Sequence, residues 1–272
     1  MDGREAIPLS RIKEVAELRT VNVTRYVTPL REGGSLPAIV EADGDGMYVL
    51  KFRGAGQGPK ALIAELLAGE IARALDLRVP EIVFAELDVE LSRTEPDPEI
   101  QDLLRESAGL NLGLDYLPGS ITFDPVVDKV DATLASRIVW FDSFITNVDR
   151  TPRNSNMLMW HKELWLIDHG AALYFQHSWD YWKEGSIKPF SQIRDHVLLP
   201  LASEMGAIDR EMNSRLDRSV FESIVEMIPT VWLEDGGSTQ EKRSVYQEFL
   251  ENRLRHSNIF LEEAERARQK LV

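Results

Sequence analysis

The chain has 272 residues, and its 45 acidic and 31 basic side chains give a formal net charge of −14. Its hydrophobic content of 43% is that of an ordinary folded core and excludes a disordered chain. The chain contains no cysteine, which excludes disulfides, thiolate zinc sites, Fe–S clusters and cysteine nucleophiles.

The strong acidity argues against a broad surface that binds nucleic acid phosphates or anionic lipid. A small phosphate-binding pocket with local Lys and Arg remains compatible with it. No uncharged run approaches the roughly 20 residues that a membrane span needs, and the N-terminus shows no signal segment. We therefore expect a cytoplasmic protein without a membrane or nucleic acid partner.

The first half of the chain predicts strands with one helix. Residues 21–28, 37–42 and 47–52 are rich in β-branched and aromatic side chains and predict an antiparallel meander. A tight turn is indicated at residues 43–46, because Asp and Gly tolerate positive φ. After a glycine-rich link, residues 60–75 carry apolar side chains at helical spacing.

Two further strands are predicted over residues 80–87 and 110–116, with a surface loop at 92–99 between them. The sequence Leu-Pro-Gly at 117–119 then indicates a boundary between two lobes. This boundary separates a part rich in strands from a part rich in helices.

The second half predicts mainly helices. Residues 126–145 form one long helical pattern. The short apolar runs at 156–160 and 164–167 predict a hairpin. From residue 190 onward the chain is helical again, with loops near Pro229 and near a pair of glycines.

Lys51 lies at the end of the third predicted strand. Because side chains alternate between the faces of a strand, Lys51 shares its face with Val49 and points either to the sheet margin or into a cleft. Glu65, on a stripe of small residues along the following helix, is a candidate counter-charge for a partly buried lysine. Glu70 is the alternative partner on another side of that helix.

A polar loop at residues 147–154 lies between the long helix and the hairpin. An Asp followed five positions later by an Asn, as in Asp149 and Asn154, can place a carboxylate for a hydroxyl proton and an amide oxygen for Mg²⁺. The alternative is an Asx-rich turn. The hairpin should bring Asp168 back beside Asn154, although Asp168 could also belong to a plain Asp-x-Gly turn.

The order of these features along the chain favours a kinase-type phosphoryl transferase. It runs from a glycine turn at residues 31–35, between the first two predicted strands, to the strand lysine, the helix glutamate, the Asp-x-x-x-x-Asn loop and Asp-x-Gly. The sequence lacks the motifs of P-loop nucleotide binding, zinc-dependent hydrolysis and serine hydrolysis. The glycine-rich link at 54–60 does not have the Gly-Lys-Ser/Thr ending of a P-loop, and neither HExxH nor GxSxG occurs.

At these residues the sequence resembles the HipA-like kinases, which are related to protein kinases and phosphoinositide kinases. The stretches that carry the resemblance are residues 30–37, 48–52, Glu65, 147–154 and 167–170. The C-terminal part matches only in being helical.

The resemblance implies a role for each matched side chain. Lys51 would hold the nucleotide phosphates and Glu65 would orient it. Asp149 would be the catalytic base, and Asn154 and Asp168 would hold Mg²⁺.

The resemblance also implies an ATP site. Its phosphates would lie under Gly33, Gly34 and Ser35, and its adenine would lie against Val49 and the connector at residues 110–117. In that connector, Asp115 and Leu117 are the expected nucleotide contacts.

The chain departs from the family pattern in three places. Asn147 and Val148 stand where protein kinases have a histidine and an arginine before the catalytic aspartate. Thr151 stands where relatives often carry a histidine, and His169 stands where protein kinases have phenylalanine. We expect Arg150 or Arg153 to supply the missing positive charge at the transferring phosphoryl group.

The expected fold is therefore α+β and two-lobed, with a small antiparallel sheet and one helix in residues 1–117 and a mostly helical catalytic lobe in 118–272. The expected activity is ATP- and Mg²⁺-dependent transfer to a hydroxyl, with a protein serine or threonine favoured by the resemblance. Alternatives are a small-molecule kinase, a nucleotidyl transferase, and an inactive ATP-binding pseudokinase.

Overall fold

The computed structural model describes residues 18–30 and 36–272. The fold mixes strands and helices, as the α+β prediction requires. Five strands form a closed barrel in the order β1-β2-β3-β5-β4. These strands are β1 (Thr20–Pro29), β2 (Ala38–Ala42), β3 (Met47–Lys51), β4 (Ile82–Leu87) and β5 (Gly109–Asp115).

The predicted meander is confirmed, because β1 pairs with β2 and β2 with β3, both antiparallel. The tight turn is confirmed too, and Gly44 and Asp45 in it have positive φ angles of 75° and 61°. The expectation of a purely antiparallel sheet is wrong. β4 returns after a helical crossover and pairs parallel to β1, and this pair closes the barrel and leaves no open edge.

Side chains on the two faces of the barrel wall have different surroundings. Its interior is filled by every second residue of the strands, including Val40, Tyr48 and Leu50. The opposite side of β3 carries Val49 and Lys51 and faces a cavity. The alternation predicted for Lys51 is thus confirmed.

The helix predicted after the glycine-rich link is α1 (Pro59–Ala74), and most of its residues are buried. The prediction of one helix in this part of the chain is wrong, because α2 (Pro98–Glu106) follows β4. Asp97 caps α2 by accepting a hydrogen bond from the Glu99 N–H. Two of its side chains, Ile100 and Leu104, pack into the barrel core. The predicted loop at 92–99 ends where α2 begins.

The long helix of the second half is α3 (Ala132–Ile145), which begins six residues later than predicted. Asp131 caps it through a 2.7 Å bond from the Leu134 N–H. The preceding Val126 and Val127 are 90% and 72% exposed. These two apolar residues fit the helical spacing in the sequence, so the helix was predicted to begin too early.

The hairpin prediction is confirmed by β7 (Met157–Trp160) and β8 (Glu163–Leu166), which pair antiparallel. A two-residue strand, β6 (Ile121–Thr122), adds to β7. The remaining helices are α4 (Trp182–Ser186), α5 (Met205–Arg215), α6 (Arg218–Glu226), α7 (Thr239–Arg255) and α8 (Ser257–Arg268).

One large apolar cluster joins α1 to α3 and to the C-terminal helices. α1 is therefore packed against the helical part of the molecule as well as beside the barrel. The lobe boundary after residue 117 stays a prediction. Among the described helices, none combines the length and hydrophobicity needed to cross a bilayer.

Candidate active site

A cavity of about 870 Å³ lies between the barrel, α1 and the β7–β8 hairpin. One part of its wall is apolar and includes Ile39, Val49, Leu114, Leu117, Leu158 and Ile167. Another part is polar and includes Lys51, Glu65, Asp149, Asn154, Asn156 and Asp168. The cavity is thus lined by the described residues predicted to hold the nucleotide, the metal and the catalytic groups: Lys51, Glu65, Asp115, Leu117, Asp149, Asn154 and Asp168. Gly33, Gly34 and Ser35 lie outside the described residues.

Lys51 is held between two carboxylates. Its Nζ lies 2.7 Å from Asp168 Oδ1 and 3.7 Å from Glu65 Oε2, and its side chain is only 11% exposed. Burial disfavours the charged amine, but the two carboxylates outweigh burial and raise the pKa of Lys51 above its usual range. Lys51 is consequently a fixed positive charge facing the cavity.

Glu65 is shared between Lys51 and the residue after Asp168. Its Oε2 accepts the backbone N–H of His169 at 2.9 Å, and its Oε1 lies 3.1 Å from the His169 ring Nδ1. Burial alone would raise the pKa of Glu65, but Lys51 and His169 lower it to about 2. The alternative partner of Lys51, Glu70, bonds to Arg73 instead.

Asp149 is held so that one carboxylate oxygen remains available. Its Oδ2 accepts hydrogen bonds from the amides of Asn154 at 3.0 Å and Asn156 at 3.2 Å. Its own N–H donates to Asn147 Oδ1 at 3.1 Å. Within the described residues, Asp149 Oδ1 receives no hydrogen bond, so this oxygen can accept a proton from a group in the cavity.

Asn154 and Asp168 fit the requirements of a hard cation. The amide nitrogen of Asn154 is used on Asp149, which leaves its Oδ1 as a free acceptor. Asp168 bonds Lys51 through Oδ1 and keeps its second oxygen. The described residues contain no cluster of three or more His, Asp or Glu side chains around a common point. This sparse oxygen set suits Mg²⁺, which binds few protein ligands and completes its shell with phosphates and water.

A buried ionic network lies behind the Asp149 loop. Asp142 is fully buried and accepts hydrogen bonds from Arg150 Nε at 2.6 Å, His196 Nε2 at 2.8 Å and Asn147 Nδ2 at 2.9 Å. Because the Leu198 N–H donates to His196 Nδ1, the proton of the neutral ring must be on Nε2. Asp142 is thus a buried hydrogen-bond acceptor that holds this network together.

The expectation that Arg150 neutralises the phosphoryl group is wrong. Its guanidinium is 1% exposed and paired with Asp142, so it points away from the cavity. A second bond, to the carbonyl of Asn156, connects it to the residue that holds Asp149. Arg153 is exposed, and its role at the phosphoryl group stays a prediction.

Replacing Arg150 by Met should destabilise the protein by about 3–5 kcal/mol, because the fully buried Asp142 loses its ionic partner. Urea unfolding would measure this change. The control is Arg194→Met, which breaks an exposed pair with Asp195 and should cost about 0–1 kcal/mol. Equal stabilities of the two variants would contradict the structural role of Arg150.

The buried network also predicts that the free energy of unfolding decreases on acidification. Burial lowers the pKa of His196 below the ordinary 6.5, so its stabilising contribution is complete above that pH and is lost as the pH falls. Arg150 and His196 outweigh burial and lower the pKa of Asp142, whose contribution is lost only at still lower pH.

Urea unfolding at about pH 7.5 and about pH 5 would measure this decrease. In His196→Asn the decrease should be smaller, because no group with the ordinary histidine pKa remains at that position. The control His161→Asn, at an exposed hairpin turn, should behave as the unaltered protein does. An unchanged pH dependence in His196→Asn would contradict the assignment.

Two residues of the site were not predicted from sequence. No role was predicted for Asn156, although its amide bonds both the carbonyl and the carboxylate of Asp149. His169 was noted only as a departure from a motif, although it binds Glu65. A signal for Asn156 was its polar character at the start of an apolar strand.

The overall fold is similar to that of solved kinase structures. The Helicobacter pylori proinflammatory kinase CtkA is 13% identical, with a TM-score of 0.51 over 93% of this chain and 98% of that chain. The Golgi casein kinase with Mn/ADP bound is 12% identical, with a TM-score of 0.49 over 96% and 75%. The likeness to CtkA shows that the chain has a kinase fold.

The family is shown by a separate match. The family model for HipA-like kinase covers residues 23–261, which is most of the chain. The chain therefore belongs to the HipA-like kinases and is a kinase. No curated protein matches it.

Proposed function

We propose that this kinase transfers the γ-phosphoryl group of ATP to a hydroxyl group, with Mg²⁺ as cofactor and Asp149 as the base. One observation carries the proposal. Lys51, Glu65, Asp149, Asn154 and Asp168 come from distant parts of the sequence and all line one cavity. Phosphoryl transfer needs a cation for the nucleotide phosphates, oxygen ligands for a metal and a carboxylate for the proton, all in one place.

The cavity offers separate surfaces for the two ends of ATP. The apolar wall, with Val49, Leu114 and Ile167, suits the adenine ring, and Asp115 and Leu117 lie at the connector. The polar wall suits the phosphates, because Lys51 is positively charged there. When bound by Asn154 and Asp168, Mg²⁺ would neutralise charge on the phosphate oxygens.

The chain's own residues account for the proton and for part of the charge. Asp149 Oδ1 takes the hydroxyl proton as the acceptor oxygen bonds to the γ-phosphorus and the bond to the β-phosphate oxygen breaks, leaving ADP. Asn154 and Asn156 fix the carboxylate during this step. Lys51 offsets the negative charge on the transferring group, and Glu65 holds Lys51 in place.

The acceptor follows from family membership alone. A serine or threonine of a protein is the leading candidate, and a small-molecule hydroxyl is the alternative. Asp149 lines the cavity and is partly exposed, which suits either kind of acceptor.

Incubation with Mg²⁺ and ATP labelled on the γ-phosphate tests the proposal. We expect label on an acceptor protein or on the chain itself, and none with Asp149→Asn. Label from α-labelled ATP would indicate nucleotidyl transfer instead. ATP binding without transfer to any offered protein or small alcohol would contradict the proposal and indicate a pseudokinase.

A further inference from the structure

The first turn of α1 is attached to the C-terminal helices through two fully buried side chains. Gln176 Nε2 donates a hydrogen bond to the carbonyl oxygen of Lys60 at 3.0 Å. The hydroxyl of Tyr246, on α7, donates to Gln176 Oε1 at 2.6 Å. Both side chains are 0% exposed, so water does not compete for these bonds.

The direction of this hydrogen-bonded chain is fixed. The amide of Gln176 uses its nitrogen toward α1 and its oxygen toward Tyr246, so reversing the amide would break both bonds. Burial, reinforced by the negative charge of Asp235, raises the pKa of Tyr246, and its hydroxyl stays protonated and able to donate. Edge-to-face packing on Phe175 and Trp179 holds the tyrosine ring.

These bonds act on the helix that carries Glu65. About one turn beyond Lys60, Glu65 makes its own bonds to the N–H and the ring of His169. α1 is therefore held at two successive points by the segment that follows Asp168. The Lys60–Asp235 ion pair, at 3.6 Å, also joins α1 to the segment before α7. Both side chains are partly exposed, so this pair contributes little to holding the helix.

We infer that Gln176 and Tyr246 are positioning residues for phosphoryl transfer. They link the first turn of α1 to α7 through hydrogen bonds, and thereby keep Glu65 beside Lys51 at the cavity. The inference rests on the proposed function in assigning Lys51 and Glu65 to the reaction. Neither residue belongs to the motifs that carry the family resemblance, because both follow the Asp-His-Gly sequence at 168–170.

The test uses Tyr246→Phe, which removes only the hydroxyl and keeps the ring packing. Hydrogen exchange read by mass spectrometry should be roughly 10-fold faster for the amides of the first two turns of α1, because Gln176, which bonds the Lys60 carbonyl, loses the buried hydrogen bond that holds its own side chain. The rate of transfer at saturating ATP should fall by roughly 10-fold as well. Gln176→Met removes both bonds at once and serves as the second variant.

A double-mutant comparison separates positioning from general destabilisation. If Tyr246 acts through Glu65, Tyr246→Phe should no longer lower the transfer rate when Glu65→Gln is already present. An equal loss in both backgrounds would overturn the inference. Tyr48→Phe is the matched control, because Tyr48 is a buried tyrosine of the barrel and should leave α1 exchange unchanged.

Failure of the inference and failure of the proposed function are distinguishable. Unchanged α1 exchange in both Tyr246→Phe and Gln176→Met overturns the inference whether or not the protein transfers phosphate. Absence of transfer by the unaltered protein overturns the proposed function, while faster α1 exchange would still support the attachment of the helix.

Discussion

Asp149→Asn should lower the rate of phosphoryl transfer by roughly 10²–10⁴-fold, the usual contribution of a general base. The amide keeps nearly the same shape but cannot take a proton. The two asparagines that bond Asp149 Oδ2 hold a carboxylate in one orientation. The affinity for ATP should change little, because Lys51 and the apolar wall are untouched.

A matched control removes the same charge elsewhere. Asp180→Asn changes an exposed aspartate outside the cavity and should keep the full transfer rate. Transfer rates measured at saturating ATP, together with ATP affinity from titration, would separate loss of chemistry from loss of binding. Near-normal turnover by Asp149→Asn would show that another group takes the proton.

The parts of the fold that were predicted from sequence are those fixed by local pattern. Alternation in β3 placed Lys51 on the outer face of the barrel, and helical spacing placed Glu65 on α1. The turn at Gly44 and the hairpin after Asn156 likewise depend on neighbouring residues alone. Such patterns survive in a single sequence because their causes lie within a few positions.

The parts that were missed depend on distant residues. Closure of the barrel requires β4 to pair with β1, which no local pattern specifies. The helix α2 is short and largely polar, and only its two apolar side chains in the barrel core explain it. The start of α3 was misplaced because Val126 and Val127 look like core residues until the fold leaves them exposed.

The predictions for the site divide in the same way, into those with local causes and those that depend on distant residues. The prediction for Arg150 failed because its neighbour Asp149 faces the cavity, whereas Arg150 turns to the buried Asp142. His196 completes that network from 54 residues away, a distance at which sequence gives no signal. The binding of His169 to Glu65 spans 104 residues and was equally out of reach.

Lys51→Met should lower the transfer rate by roughly 10²–10³-fold, the effect of removing one group that stabilises transition-state charge. Lys51 is the cationic side chain that the structure places between Glu65 and Asp168 in the cavity wall. Methionine matches the apolar stem but brings no charge. The loss of that charge should also raise the pKa of Glu65, which is about 2 in the unaltered protein largely because of Lys51.

Lys51→Arg separates charge from geometry. Arginine restores a positive charge beside both carboxylates and should recover stability against urea relative to Lys51→Met. Its planar fork cannot reproduce the point charge of an ammonium group, so the transfer rate should stay well below that of the unaltered protein. The control Lys129→Met, at an exposed position outside the cavity, should change neither stability nor rate. If Lys51→Met is folded and transfers phosphate at a near-normal rate, Lys51 has no part in the reaction. Its role would then be only to pair with Glu65 in the structure.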